Sequence, residues 1–354
     1  MKAEDKAKGI VLVGVSVLML LLSAASALAI VSDHVSRGIV SKGVTLAGRN
    51  LSGMNEAQVR TAIDEAVSAP MMRPVNITGD NKSWVLDPRG IVSVDANAMV
   101  DQAYTPLHQA TLVERLTSRI TGRPLAAEVK PVFSIDTSAV AGWVADTAKV
   151  VARRPVNATR TAGPKYTMRI TPAVMGASVD QTKAVEQLSQ ALTADAALAS
   201  ASRDVSLPVN VLTPKVLQSS FKMGIVVSLS RTTIYLYNGA KLVKTYRCAP
   251  GQPAWPTPKG DFKIVTKQAD SPWYNPHDAW SASMPDVIPG GPGNPMGDRK
   301  IGIDYPGVFM HGVPPGEYGS IGSHASHGCM RMMPSAVHDL YNRVSIGDPV
   351  FIRE

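Results

Sequence analysis

Ser326-His327-Gly328-Cys329-Met330-Arg331 sets one of only two cysteines in a 354-residue chain among histidines. His327 and His324 stand two and five residues before Cys329, and His311 eighteen before it. A thiol beside an imidazole is ready for chemistry, because a base that takes the thiol proton leaves a strong nucleophile. Gly328 has no side chain to block the approach of a backbone or a substrate to the sulfur. A free cysteine alone is most often a small buried hydrophobe, and a lone histidine a satisfied polar group. The neighbouring blocks therefore have to carry the reading.

Upstream lies Phe309-Met310-His311-Gly312, with fourteen residues between His311 and Ser326. A histidine, a gap of this size and then Ser/Thr-His-Gly-Cys resembles the signature of the L,D-transpeptidase catalytic domain (YkuD type). Thr257-Pro258-Lys259-Gly260-Asp261-Phe262 resembles a second block of that family, Thr-Pro-x-Gly-x-Phe, and Asn294-Pro295-Met296-Gly297 resembles one of its turns. The likeness covers nearly all of residues 222–353. It implies Cys329 as nucleophile, His311 as its base, and the Gly312 carbonyl as the group that fixes the His311 tautomer. It also implies that His327 shapes the site and its oxyanion environment. Tyr305 matches a site tyrosine of the family approximately. Among the residues themselves, Arg331 is suited to hold a substrate carboxylate as a bidentate fork, and Ser326 to support the loop beside the substrate.

The resemblance supplies the substrate too. Such enzymes attack the amide between the third and fourth residues of a peptidoglycan tetrapeptide stem. They hold the tripeptide as a thioester and pass it to an amine of another stem, giving a 3→3 cross-link. Carbapenem acylation is expected on the same ground, and neither a cofactor nor a metal is implied. An L,D-carboxypeptidase or other cysteine amidase on peptidoglycan is the nearest alternative, and a non-catalytic wall-binding protein the next. A zinc site from His311, His324, His327 and Cys329 is disfavoured, since structural zinc usually brings more thiolates at a regular spacing.

Around these blocks residues 221–354 read as strands, and a mostly antiparallel β-sandwich with a short helix near 334–344 is expected. Ile225–Ser230, Thr233–Tyr237, Lys241–Tyr246 and Gly260–Val265 are β-rich, and Asn238-Gly239 is a hairpin signal. Cys248 falls at a strand end and reads as buried and inert. The Pro- and Gly-rich stretch 270–299 is long for a loop inside a compact domain, which points to a functional wall or ordinary packing. Trp273, Tyr274 and Trp280 are its candidates for walling a substrate groove.

Residues 32–215 repeat weakly. Arg73-Pro74-Val75-Asn76 recurs as Arg154-Pro155-Val156-Asn157, 81 positions on, and Val94-Asp95 recurs as Val179-Asp180. Each copy reads as helix, strand, turn, strand, helix, with Asp95, Asp136 and Asp180 as helix caps. Two α+β repeat domains are expected, at 32–126 and 127–215. They resemble the peptidoglycan-binding (YoaR-like) modules found beside such catalytic domains, which leaves wall binding and simple spacing both open.

At the N-terminus Lys2, Lys6 and Lys8 precede Gly9–Val31, which holds no charge in 23 residues. As a helix this run spans roughly 34 Å, enough for a hydrocarbon core of about 30 Å. A cytoplasmic tail at 1–8, a transmembrane anchor at 9–31 and an extracytoplasmic remainder are expected. Cleavage after Ala27 or Ala29, giving a secreted protein, is the alternative. The composition is globular, at 45% hydrophobic and 18% charged residues. The net charge of +8 is dispersed, and no Lys/Arg run marks a nucleic-acid surface.

Overall fold

The computed structural model describes residues 3–200, 202–291 and 293–354. Met1 and Lys2 of the expected tail, and the side chains of Lys6 and Lys8, lie outside the described residues. Helix α1 runs Ala3–Ser36. Its segment Leu12–Val35 has a mean hydropathy of 2.4, and its most apolar stretch is not buried against the rest of the chain. Straight-chain and small residues keep it helical. Its far end is not apolar: Asp33 is 2% exposed and pairs with Arg115 at 2.9 Å.

The described chain forms two compact units, Met1–Arg153 with Ala177–Val211, and Arg154–Gly176 with Leu212–Glu354. In the first, a single core runs from Val40 to Leu207 and takes apolar residues from both repeat segments. Trp84 and Trp143 pack against that core. Asp95, Asp136 and Asp180 cap the helices Ala96–Gln109, Thr137–Val151 and Gln181–Ala191 by accepting from first-turn amides, as short acidic side chains do. Val75–Gly79 and Lys82–Leu86 form a hairpin over Asp80 and Asn81, which take positive φ angles of 51° and 59°. Such angles suit Asp and Asn, and they match the twist of a two-residue hairpin.

The second unit is built on one eight-stranded sheet. From Met223 onward its strands are β1 Met223–Ser228, β2 Thr233–Asn238, β3 Lys241–Arg247, β4 Gly260–Ala269, β5 Trp273–Tyr274, β6 Val287–Ile288, β7 Arg299–Ile303, β8 Phe309–Gly312, β9 Met330–Met332 and β10 Pro349–Arg353. All but β5 and β6 belong to the sheet, in the order β3-β2-β1-β10-β4-β7-β8-β9. Five of its seven pairings are antiparallel; β1/β10 and β8/β9 are parallel.

Strand β4 gives the sheet two halves. Gly260–Lys263 pairs with β10, and Ile264–Ala269 pairs with β7, with a register shift after Ile264. A strand that changes partners at a bulge bends the sheet back on itself. Ile225, Ile234, Leu236, Ile301, Met310, Met330 and Ile352 fill the space between, with Val337 and Leu340 of helix α2, Pro334–Arg343. The unit therefore has the mostly antiparallel, two-layered β architecture expected from the strand pattern.

The described residues of the long stretch 270–299 are tied together by their own hydrogen bonds. β5 and β6 pair across it. Asn294, 1% exposed, donates through Nδ2 toward the carbonyls of Ser271, Ile288 and Pro289 at 3.3, 3.3 and 3.1 Å.

Candidate active site

Strand register brings the sequence blocks together. β8 and β9 run parallel, with Met310 opposite Met330 and His311 opposite Arg331. Side chains alternate between the two faces of a strand. Met310, Met330 and Met332 point into the core. Phe309, His311 and Arg331 therefore point the other way, as does Cys329 just before β9. They line a groove of 720 Å³. By continuation of the register Cys329 and His311 are diagonal neighbours, roughly 8 Å apart at Cα from one strand spacing and two residues of rise. β7 extends the row, since Lys300 lies opposite His311. Lys300, His311 and Arg331 thus cross three strands on one face.

His311 is 3% exposed, and its Nδ1 lies 2.6 Å from the Gly312 carbonyl. A carbonyl only accepts, so in the neutral ring Nδ1 carries the proton and Nε2 keeps the lone pair. Burial pushes the imidazole pKa down to about 4, against a smaller upward pull from that carbonyl. Burial raises the Cys329 thiol to about 11, partly offset by a backbone bond from Phe309 and by the charges of Arg331 and Lys300. The thiol donates to the Gly307 carbonyl at 3.3 Å. Both groups are neutral near pH 7, a thiol beside an uncharged imidazole.

The loop that carries Cys329 is held from below. Ser326, 1% exposed, donates through Oγ to the Cys329 carbonyl at 2.5 Å and accepts from the Gly328 amide at 3.1 Å. Its hydroxyl is used inside the loop. Thr257 accepts from the Gly251 amide and donates to the Gly328 carbonyl, both at 2.9 Å. The block around Thr257 is therefore a strut beneath the cysteine loop. Gly328 has φ +107°, and a Cβ there would meet open space, so the backbone angle is what requires glycine. Gly297, at φ +62°, packs its Cα face on the Gly312 carbonyl group, where a Cβ would come within 2.9 Å.

His327 lies between two indoles. It stacks on Trp280 at 4.3 Å and 9°, and meets Trp255 edge-on at 4.6 Å. Burial and the charge of Arg331 lower its pKa. This ring belongs to an aromatic wall with Trp280 and Trp273, while His311 lies across the groove on β8. Tyr305 is 46% exposed and sits edge-on to Phe262 at the groove rim. Arg331 is ion-paired to Glu317 at 2.9 Å. Sequence reasoning missed Trp255, Lys300 and Glu317. Only the proximity of Trp255 to the Thr257 block offered a signal; the other two come from strand pairing and a distant turn. His324 bonds the Gly251 carbonyl at 3.1 Å. Among the described residues no three His, Cys, Asp or Glu side chains gather as metal ligands.

Comparison with known proteins follows the two blocks. Residues 222–352 match the family model of the YkuD-type L,D-transpeptidase catalytic domain. Residues 84–197 match that of a "Putative peptidoglycan binding domain". "Putative L,D-transpeptidase YqjB" of Bacillus subtilis is 31% identical over 119 residues, 32% of this chain and 61% of that protein. "Putative L,D-transpeptidase YkuD" of Bacillus licheniformis is 32% identical over 36% of this chain and 64% of that protein. "Probable L,D-transpeptidase ErfK/SrfK" of Escherichia coli is 26% identical over 45% and 52%. The chain thus spans between about half and two thirds of these relatives. Among solved structures, L,D-transpeptidase 3 from Mycobacterium tuberculosis aligns at a TM-score of 0.34 and 17% identity, over 60% of this chain and 87% of that one. The chain therefore carries a YkuD-type L,D-transpeptidase catalytic domain, behind a domain of the peptidoglycan-binding family and an apolar N-terminal helix.

Proposed function

We propose that this protein is a peptidoglycan L,D-transpeptidase working through a Cys329 thioester. The observation that supports it best is the pairing of β8 with β9, which sets the thiol diagonal to a buried imidazole whose Nδ1–H is held by Gly312. In the first half-reaction Sγ attacks the carbonyl carbon between the third and fourth stem residues. The S–C bond forms as the thiol proton moves to Nε2 of His311. The resulting oxyanion needs donors, and the Cys329 amide is the nearest candidate. The C–N bond then breaks and His311 returns the proton to the departing D-alanine amine. In the second half-reaction an amine of another stem attacks the thioester, the C–S bond breaks, and the sulfur recovers its proton through His311. The product is a 3→3 cross-link.

The N-terminal helix serves in this reading as an uncleaved anchor, with the catalytic domain on the wall side of the membrane. Intact-mass analysis of the mature protein tests it; a chain that begins at Leu28 or Ile30 would show cleavage instead. The peptidoglycan-binding family match supports wall attachment by the middle region. Recovery of residues 32–215 with insoluble wall no better than a control protein would make it a spacer.

The central experiment incubates the soluble part with disaccharide-tetrapeptide and reads products by mass. Free D-alanine with a cross-linked dimer is expected. Free tripeptide without dimer would mark a carboxypeptidase, and unchanged substrate would remove the enzymatic reading. A carbapenem is expected to add its mass to the protein and not to the Cys329→Ala variant.

A further inference from the structure

We propose that Lys300 is the carboxylate receptor of the groove, its ammonium taking an acidic group on the acyl-donor peptide and so setting the scissile carbonyl over Cys329. The inference deepens the transpeptidase reading above and rests on it. Three observations carry it. The first is placement: Lys300 is the cross-strand partner of His311 and lines the same groove as Cys329. The second is the state of the other cation. Arg331, the residue whose fork suits a carboxylate, already holds one, Glu317 from the turn Pro315–Ser320, at 2.9 Å. A substrate carboxylate arriving there has to displace an internal partner.

The third observation is what surrounds the ammonium. Its recorded bond goes to a neutral acceptor, the Pro272 carbonyl at 3.3 Å, and it lies 5.5 Å over the Phe309 ring. No carboxylate among the described residues pairs with it. An ammonium carries three donors, so at least two remain for a ligand. Half-burying a cation without a counter-anion is costly. A carboxylate brought by the substrate restores that loss, and the bond is charge-assisted. The ammonium also acts on the reacting pair, lowering the pKa values of both Cys329 and His311.

The test uses the full chain in detergent with Cys329→Ala, so that peptides bind without reacting. Two pairs of stem tetrapeptides are titrated by calorimetry. In one pair the third-residue side chain ends in a carboxylate or a carboxamide; in the other the fourth-residue terminus does. With Lys300 present the carboxylate form of one pair is expected to bind roughly ten- to hundred-fold tighter, as a charge-assisted hydrogen bond gives. Lys300→Met is expected to erase that preference, and Lys300→Arg to keep most of it. Thermal unfolding checks that each variant is folded. The proposal is overturned if the preference survives Lys300→Met, if Arg331→Met erases it instead, or if neither pair shows one. Turnover by protein with Cys329 intact is measured separately. Its absence would count against the transpeptidase reading, while the binding result would still decide Lys300.

Discussion

Cys329 rests as a thiol and His311 as a neutral imidazole, because burial moves their pKa values apart to about 11 and about 4. Alkylation of the free protein by iodoacetamide should therefore climb about ten-fold per pH unit from pH 7 to pH 9 without a plateau, since only the thiolate reacts. A plateau near pH 6 would mean a stored thiolate. Cys248 is fully buried and raised to about 12, so it should stay unlabelled, which peptide mapping checks. His311 also links stability to pH. Its folded pKa lies below the unfolded value of about 6.5, so the unfolded chain binds more protons between pH 6.5 and 4. The contribution is intact above that window and is lost as the pH falls through it. His311→Gln should flatten the fall in urea-unfolding free energy over the same range and reduce turnover by at least a hundred-fold.

Among the elements, the cysteine loop depends on segments far from it in sequence. Thr257→Val removes a hydroxyl that serves one buried amide and one carbonyl. Leaving them unmet should cost about 1–3 kcal/mol in urea unfolding and slow carbapenem acylation. Gly328→Ala meets no steric block, yet it places an L-residue at φ +107°. A loss of about 1–3 kcal/mol is expected from the backbone alone. Full stability in that variant would show that the loop relaxes to another turn.

On the scale of the whole molecule, the catalytic unit is larger than the segment that carries its motifs. The hairpin Thr159–Ala162 and Met168–Thr171 belongs to it. Met168 is buried with Val226, Tyr237 and Phe351, on the outer face of β1, β2 and β10. Tyr166 stacks on Tyr235 at 5.8 Å and bonds the Glu354 carbonyl at 2.8 Å. A chain begun at residue 221 should therefore unfold at a lower temperature than the full protein in calorimetry. Met168→Ala in the full chain should cost about 2–5 kcal/mol, as large-to-small core changes do. Equal melting temperatures for the short and full chains would show that the hairpin is dispensable.

The sequence by itself determined the Cys329 and His311 blocks that the groove brings together, the β character of residues 221–354 and the three capped helices. Each of these is written locally: a motif at fixed spacing, alternation of apolar residues, an aspartate before a helical run. The tertiary structure decided what only neighbouring strands and turns bring together. Lys300 joins His311 through β7–β8 pairing, Glu317 claims Arg331 from a separate turn, and Trp255 closes on His327. The hairpin at 159–171 lies within the catalytic unit even though it falls between the two blocks, Arg154–Asn157 and Val179–Asp180, that echo the first repeat. Its apolar side chains complete a sheet face that the motif-bearing segment leaves uncovered, and no local pattern reveals which distant surface a side chain will fill.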